Sequence, residues 1–177
     1  MATVRPLGGN MDTRCKRLPR RPENIFEYLH REHLTATALL ERLIDGCDAA
    51  SIRDELFFEL ERQLTVHAMA EEHTFYSALR VADDTRFKVR RAVAEHEQIE
   101  ELLNRLAALR SGEPPWLDTL RALQDLVVQH IVDESEIFEA ARHVLTPADA
   151  RALAVDMEAE ERRLDSGMTG QIAAVGR

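Results

Sequence analysis

One His-x-x-x-Glu pattern recurs at a fixed interval in both its residues: His67 and Glu71 return 63 positions later as His130 and Glu134. The same interval carries His33 onto His96, Glu32 onto Glu95, Leu39 and Leu40 onto Leu102 and Leu103, Arg42 onto Arg105 and Leu43 onto Leu106. Further along, Leu60 falls on Leu123, Phe75 on Phe138 and Ala78 on Ala141. A chain whose apolar and ionisable positions repeat together contains two related halves. Residues three and four apart share a helix face, so Leu56, Leu60, Leu64, His67, Glu71 and Phe75 form one stripe, and each half reads as a helical hairpin. Two such hairpins, packed on each other, predict an all-α, up-down-up-down four-helix bundle with a pseudo-twofold internal repeat.

Punctuation along the chain agrees. Helical patterns run from near Pro22 to Gly46 and from about Ser51 to Arg80. A third begins after "ADDT" at 82–85 and ends at "SGEPP", and a fourth runs from Pro114-Pro115 to about Val144. Thr146-Pro147 opens a short fifth helix reaching about Leu164. The expected organisation is a flexible basic tail over 1–21, the bundle over 22–144, an additional C-terminal helix over 145–165 and a flexible tail over 166–177. The basic tail carries Arg5, Arg14, Lys16, Arg17, Arg20 and Arg21, and a solubilising terminus is the plain reading of it.

The rest of the composition narrows the function. A net charge of −9 and a pI near 5.3 argue against a general nucleic-acid-binding surface. No apolar run is long enough to span a bilayer, and the N-terminus has no apolar segment of the kind a secretory signal needs. Cys15 and Cys47 are the two cysteines, too few for a disulfide framework, which fits a reducing cytoplasm. No nucleic acid or membrane partner is expected, and the sequence identifies no protein partner.

Within the bundle the ionisable residues sit where a core needs leucine. His33 lies between Leu29 and Leu40 on its stripe, His96 between Val93 and Leu103, and His130 with Glu134 between Val127 and Phe138. Four imidazoles and two carboxylates thus point into one bundle, one histidine from each helix. Buried charges are paired or bind metals. Two bridging carboxylates and two histidines per metal would satisfy a pair of cations. Imidazole with carboxylate suits iron, manganese or zinc, and no thiolate cluster is present for Cu(I). A single His–Glu pair one turn apart is common as a core hydrogen bond; two such pairs plus two further histidines at one interval point to metal.

These residues carry a family resemblance. His33 in "REHLTATALLERL", His67 and Glu71 in "HAMAEEHTFY", His96 in "AEHEQIEELLNRL" and His130 and Glu134 in "HIVDESEIF" resemble the hemerythrin-like, or HHE cation-binding, family over about residues 22–144. The resemblance implies a non-haem di-iron centre, two iron ions with zinc or manganese as lesser alternatives. His33, His67, His96 and His130 would be terminal ligands and Glu71 and Glu134 bridging ones. Oxygen-carrying hemerythrins resemble a pattern with two histidines one turn apart on the third helix. This chain has His96 and Glu100 there, so Glu100 is a candidate seventh ligand, with a surface ion pair as its other reading. The fourth helix also departs, with Glu134 four residues after its histidine in place of an aspartate five after it.

Other residues read as bystanders or supporting groups. His30, His73 and His143 are expected at the surface and Trp116 in packing. Tyr28 and Tyr76 are packing residues or hydrogen-bond donors near the centre. Glu72 and Glu95 are solvated charges or carboxylates that orient an imidazole. The functional expectation is a cytoplasmic protein that binds or responds to a small diatomic ligand or peroxide (dioxygen, nitric oxide or hydrogen peroxide) in sensing or stress protection. The alternatives are a di-iron enzyme consuming peroxide or nitric oxide, and an iron-handling protein assisting iron–sulfur cluster repair.

Overall fold

The computed structural model describes residues 24–46, 49–80 and 83–175, with the side chains of residues 83 and 168–175 left aside. The basic tail over 1–21 and Cys47 lie outside the described residues. Among the described residues six helices follow in order: α1 (Ile25–Ile44), α2 (Ala50–His73), α3 (Phe75–Leu79), α4 (Asp83–Ala108), α5 (Pro114–Val144) and α6 (Pro147–Val175). No helix among the described residues is long and apolar enough to cross a membrane.

Local chemistry sets the helix ends. The Asn24 side chain accepts the Glu27 amide at 3.1 Å and starts α1. Gly46, at φ +94°, lies beyond its end. Pro114 and Pro115 occupy the first turn of α5, where no intrahelical donor is needed. Thr146 and Asp149 cap α6 reciprocally: the Thr146 amide donates to Asp149 Oδ2 at 3.0 Å and the Asp149 amide to Thr146 Oγ1 at 3.2 Å.

The core is divided into two apolar clusters with the histidines between them. One holds Ile25, Phe26 and Leu29 of α1, Phe75 and Leu79 of α3, Val89 of α4 and Ile137 of α5. The other holds Leu40 and Leu43 of α1, Leu60 of α2, Leu103 and Leu106 of α4, and Trp116 and Leu123 of α5. Four helices therefore run from one cluster to the other, α1 and α4 in one sense and α2 and α5 in the reverse, which is the up-down-up-down order expected from the repeat. Every crossing between clusters passes a histidine.

Two boundaries differ from expectation. The helix expected over Ser51–Arg80 is interrupted at Thr74, whose backbone (φ −112°, ψ −81°) is not helical. The Thr74 hydroxyl donates to the Ala70 carbonyl at 2.7 Å, the local competition by which threonine bends helices. The break buries two successive aromatic residues, Phe75 and Tyr76. The C-terminal helix is not short: α6 spans 29 residues to Val175, through most of the segment expected as a flexible tail. It is anchored on α1 and α2, where Tyr28 donates to Glu161, His73 meets Glu160 at 2.8 Å and Arg62 meets Asp165 at 2.5 Å. Ala150, Ala154 and Met157 of α6 complete the first cluster. α6 thus covers one hairpin and breaks the twofold symmetry.

The turn before α5 gives a stability test. Gly112 has φ +82°, and a Cβ there would lie 2.1 Å from Arg53 Nη1, whereas a Cβ at Gly46 would meet nothing within 4 Å. Gly112→Ala is expected to cost about 1–2 kcal/mol for the left-handed backbone plus the displacement of Arg53 from its contact with the Ser111 carbonyl. Gly46→Ala should cost the backbone part alone, and thermal melts of the two variants measure the difference.

Candidate metal centre

The bundle brings the six repeated residues into one layer. His33 comes from α1, His67 and Glu71 from α2, His96 from α4, and His130 and Glu134 from α5. All are buried, with Glu71 and Glu134 at 0% exposure. His33 Nε2 lies 3.2 Å from Glu134 Oε2, and Glu71 Oε2 lies 3.5 Å from His96 Nε2 and 3.8 Å from His67 Nε2. The ligand-type atoms fall into two groups, His33–His130–Glu134 and Glu71–His96–His130, each within 4.8 Å of one another. Above them is a cavity of ≈ 20 Å³ lined by His33, His67, His96, Ile99, Val127 and Ile131, room for about one water.

Supporting carboxylates fix two of the imidazoles. His96 Nδ1 is 3.0 Å from Glu72 Oε1, and His130 Nδ1 is 2.9 Å from Glu95 Oε2; Arg91 Nε approaches Glu95 at 3.6 Å. A carboxylate accepts, so in each ring the proton belongs on Nδ1 and Nε2 presents its lone pair. Those two Nε2 atoms lie 3.2 Å apart. Two lone pairs facing at that distance need a proton or a cation. Glu72 and Glu95 are thus imidazole-orienting groups, the sharper of their two readings. Tyr76 adds a phenol to the layer: its hydroxyl donates to Glu134 Oε1 at 3.0 Å, and its ring stacks on His96 at a centroid distance of 5.7 Å.

Electrostatics make the layer a poor home for its own residues. Burial pushes the His33 imidazole down to about 4, against the pull of Glu134. Burial likewise lowers His67 and His96, the former well below the usual range. Burial and then the neighbouring Glu134 carboxylate hold Glu71 well above the usual carboxylate range. For Glu134 burial acts upward, but the Glu71 proton, the nearby His33 and His130 and the Tyr76 hydroxyl together hold it below. His33 Nε2, both nitrogens of His67, both oxygens of Glu71 and Glu134 Oε2 are buried without a hydrogen-bond partner. Such orphaned atoms are rare and costly in a finished core. Neutral imidazoles with carboxylates, their donor atoms convergent and unsatisfied, fit divalent transition-metal cations.

The remaining candidates fall outside. Glu100 is exposed. The buried stripe of α4 runs through His96, Ile99 and Leu103, which turns Glu100 to its solvent side and removes it as a seventh ligand. His30, His73 and His143 are exposed as expected. Tyr28 is buried but faces α6 through Glu161. Sequence reasoning left the role of Tyr76 open; Thr74 at the helix break is the only signal for its inward placement.

A model of the hemerythrin HHE cation-binding domain matches residues 24–141. Among solved structures, a hemerythrin HHE cation-binding domain-containing protein from Mycobacterium kansasii superposes with a TM-score of 0.75 at 24% identity, covering 87% of this chain and 94% of that one, a likeness of fold. Among curated proteins, one named DNA nickase from Nostoc sp. is 27% identical over 157 residues. The match covers 86% of this chain, which spans 43% of that relative's length.

Proposed function

This chain belongs to the hemerythrin HHE cation-binding domain family, and from that premise we propose that it holds a non-haem di-iron centre and binds or responds to dioxygen, nitric oxide or peroxide. The observation that carries the reading is the buried layer of four imidazoles and two carboxylates with unpartnered donor atoms. His33, His67, His96 and His130 would hold the ions from α1, α2, α4 and α5, together with Glu71 and Glu134. Iron in such a site supplies reversible one-electron chemistry and an affinity for small oxygen- and nitrogen-centred ligands. The chain's own residues do the rest. Glu72 and Glu95 hold two imidazoles with Nε2 facing inward. Ile99, Val127 and Ile131 line the approach with apolar surface and restrict water.

One observation favours turnover as a second reading. The Tyr76 hydroxyl sits on Glu134 inside the layer, a proton held where a reduced peroxide or nitric oxide would need one. Protein expressed with iron is expected to carry about two irons per chain, with a visible absorption that changes when the reduced protein meets oxygen, peroxide or nitric oxide. Stoichiometric, reversible change supports binding, and steady consumption of peroxide or nitric oxide supports the enzyme. Protein that carries no metal, or a single zinc without a visible spectrum, overturns the di-iron reading.

A further inference from the structure

The repeat carries Glu32 onto Glu95 and His67 onto His130. In the second hairpin this pair is made, Glu95 Oε2 lying 2.9 Å from His130 Nδ1. In the first it is not. His67 Nδ1 is buried without a partner, while the Glu32 carboxylate rests 3.6 Å from Arg31 Nε. Yet the two residues are neighbours in space. Glu32, Gln63 and His67 line both the interior cavity and the outer groove of ≈ 350 Å³ between α1, α2 and α6, and so form the wall between them. The Gln63 amide, donating to the Glu32 carbonyl at 3.2 Å, ties that wall together.

We infer that Glu32 is the positioning residue of His67: its carboxylate turns from Arg31 to accept the Nδ1 proton of His67, as Glu95 does for His130. This rests on the reading of His67 as a cation ligand. An imidazole that gives its Nε2 lone pair to a cation carries its proton on Nδ1, and that buried donor then needs an acceptor. Glu32 is the carboxylate the repeat puts in reach. Its present partner is a loose one, since a pair at 3.6 Å with Arg31, itself 42% exposed, contributes little. The repeat offers His33 no such help. The counterpart of Glu72 is Ser135, an exposed residue whose hydroxyl donates to the Val132 carbonyl at 2.6 Å. Three of the four imidazoles are then fixed, and His33 is the adjustable one.

The test uses the full chain loaded with cobalt(II), whose paramagnetism shifts the imidazole N–H protons of its ligands out of the proton NMR envelope. The wild type should show three slowly exchanging shifted N–H signals, from His67, His96 and His130. Glu32→Ala should lose one, or exchange it much faster, and should release cobalt to a chelator about 10–100-fold faster. Glu32→Gln, whose amide oxygen still accepts, should keep the signal and stay within about threefold of wild-type release. Glu95→Ala should remove a different signal, which separates the two sites. Glu32→Ala with unchanged signals and release rate overturns the inference, as does loss of the His67 signal in Gln63→Leu with Glu32→Ala unaffected. A wild type with no shifted signals at all refutes the reading of His67 as a ligand, and is distinguishable from failure of the Glu32 assignment alone.

Discussion

Replacing His67 with leucine is expected to raise the stability of the metal-free protein while lowering its metal content. His67 is 6% exposed, and neither ring nitrogen has a hydrogen-bond partner. Leu60 and Leu64 precede it on the same buried stripe and Phe75 continues it. Leucine therefore fits the helix face, and its introduction removes two unsatisfied polar atoms without orphaning another. Each unsatisfied group of this kind costs about 1–3 kcal/mol, so the metal-free variant should melt about 3–10 °C higher in a chain of this size. Loading should move the other way, because one of four imidazoles is gone. Calorimetry with and without metal, beside metal content per chain, reads both effects. A variant that is less stable without metal would mean that His67 already has a satisfied structural role. Glu71→Ala and Glu134→Ala should reduce metal content with helicity retained, and full occupancy in both would remove those carboxylates from the ligand set.

Acid is expected to weaken the metal-free protein through its buried imidazoles, His33 foremost. The folded state keeps His33 at about 4, while an unfolded histidine titrates near 6.5. Between those values the unfolded chain binds the extra proton, so stability falls as pH drops through the window. His33 alone accounts for roughly 3 kcal/mol across it, at about 1.4 kcal/mol per pH unit. His67 and His96, also lowered by burial, act in the same direction. Glu71 acts in the opposite one, because its raised carboxyl holds a proton in the folded state that the unfolded chain has lost above about 4.5. Glu161, pushed up to about 7 by burial, acts with Glu71, so the imidazole part is read as the difference in pH dependence between the wild type and a His33→Leu variant. On the alkaline side the raised carboxyls of Glu71 and Glu161 remain, and stability declines as the pH rises through them. Denaturant midpoints of the two proteins across pH 4.5–8.5 check this, and profiles of the same shape would show that His33 titrates alike in the folded and unfolded chain.

The features visible in the sequence are those that contradict an apolar stripe. His33, His67, Glu71, His96, His130 and Glu134 stand at leucine positions twice over, and no core tolerates that pattern without a reason, so both the bundle and the convergence of these six could be read. Glu100 misled because a residue four positions from His96 lies near the same face. Which side of His96 the stripe follows depends on how α4 packs, and Ile99 and Leu103 carry it away from Glu100. Glu72 and Glu95 were open to either reading because their partners are on other helices, α2 reaching α4 and α4 reaching α5. The break at Thr74 was hidden because threonine is tolerated within helices. The length of α6 was hidden because its holding contacts with Tyr28, Arg62 and His73 lie more than 80 residues upstream.

The group of His33, His130 and Glu134 draws on both hairpins, as does that of Glu71 with His96 and His130. Ions held there would act as rivets between the two halves of the chain. With the centre empty, the two apolar clusters alone would join the halves, and the layer between them would be where local opening lets backbone amides exchange and proteases find a foothold. The lifetime of the chain in a cell would then report metal supply, filled molecules outlasting empty ones.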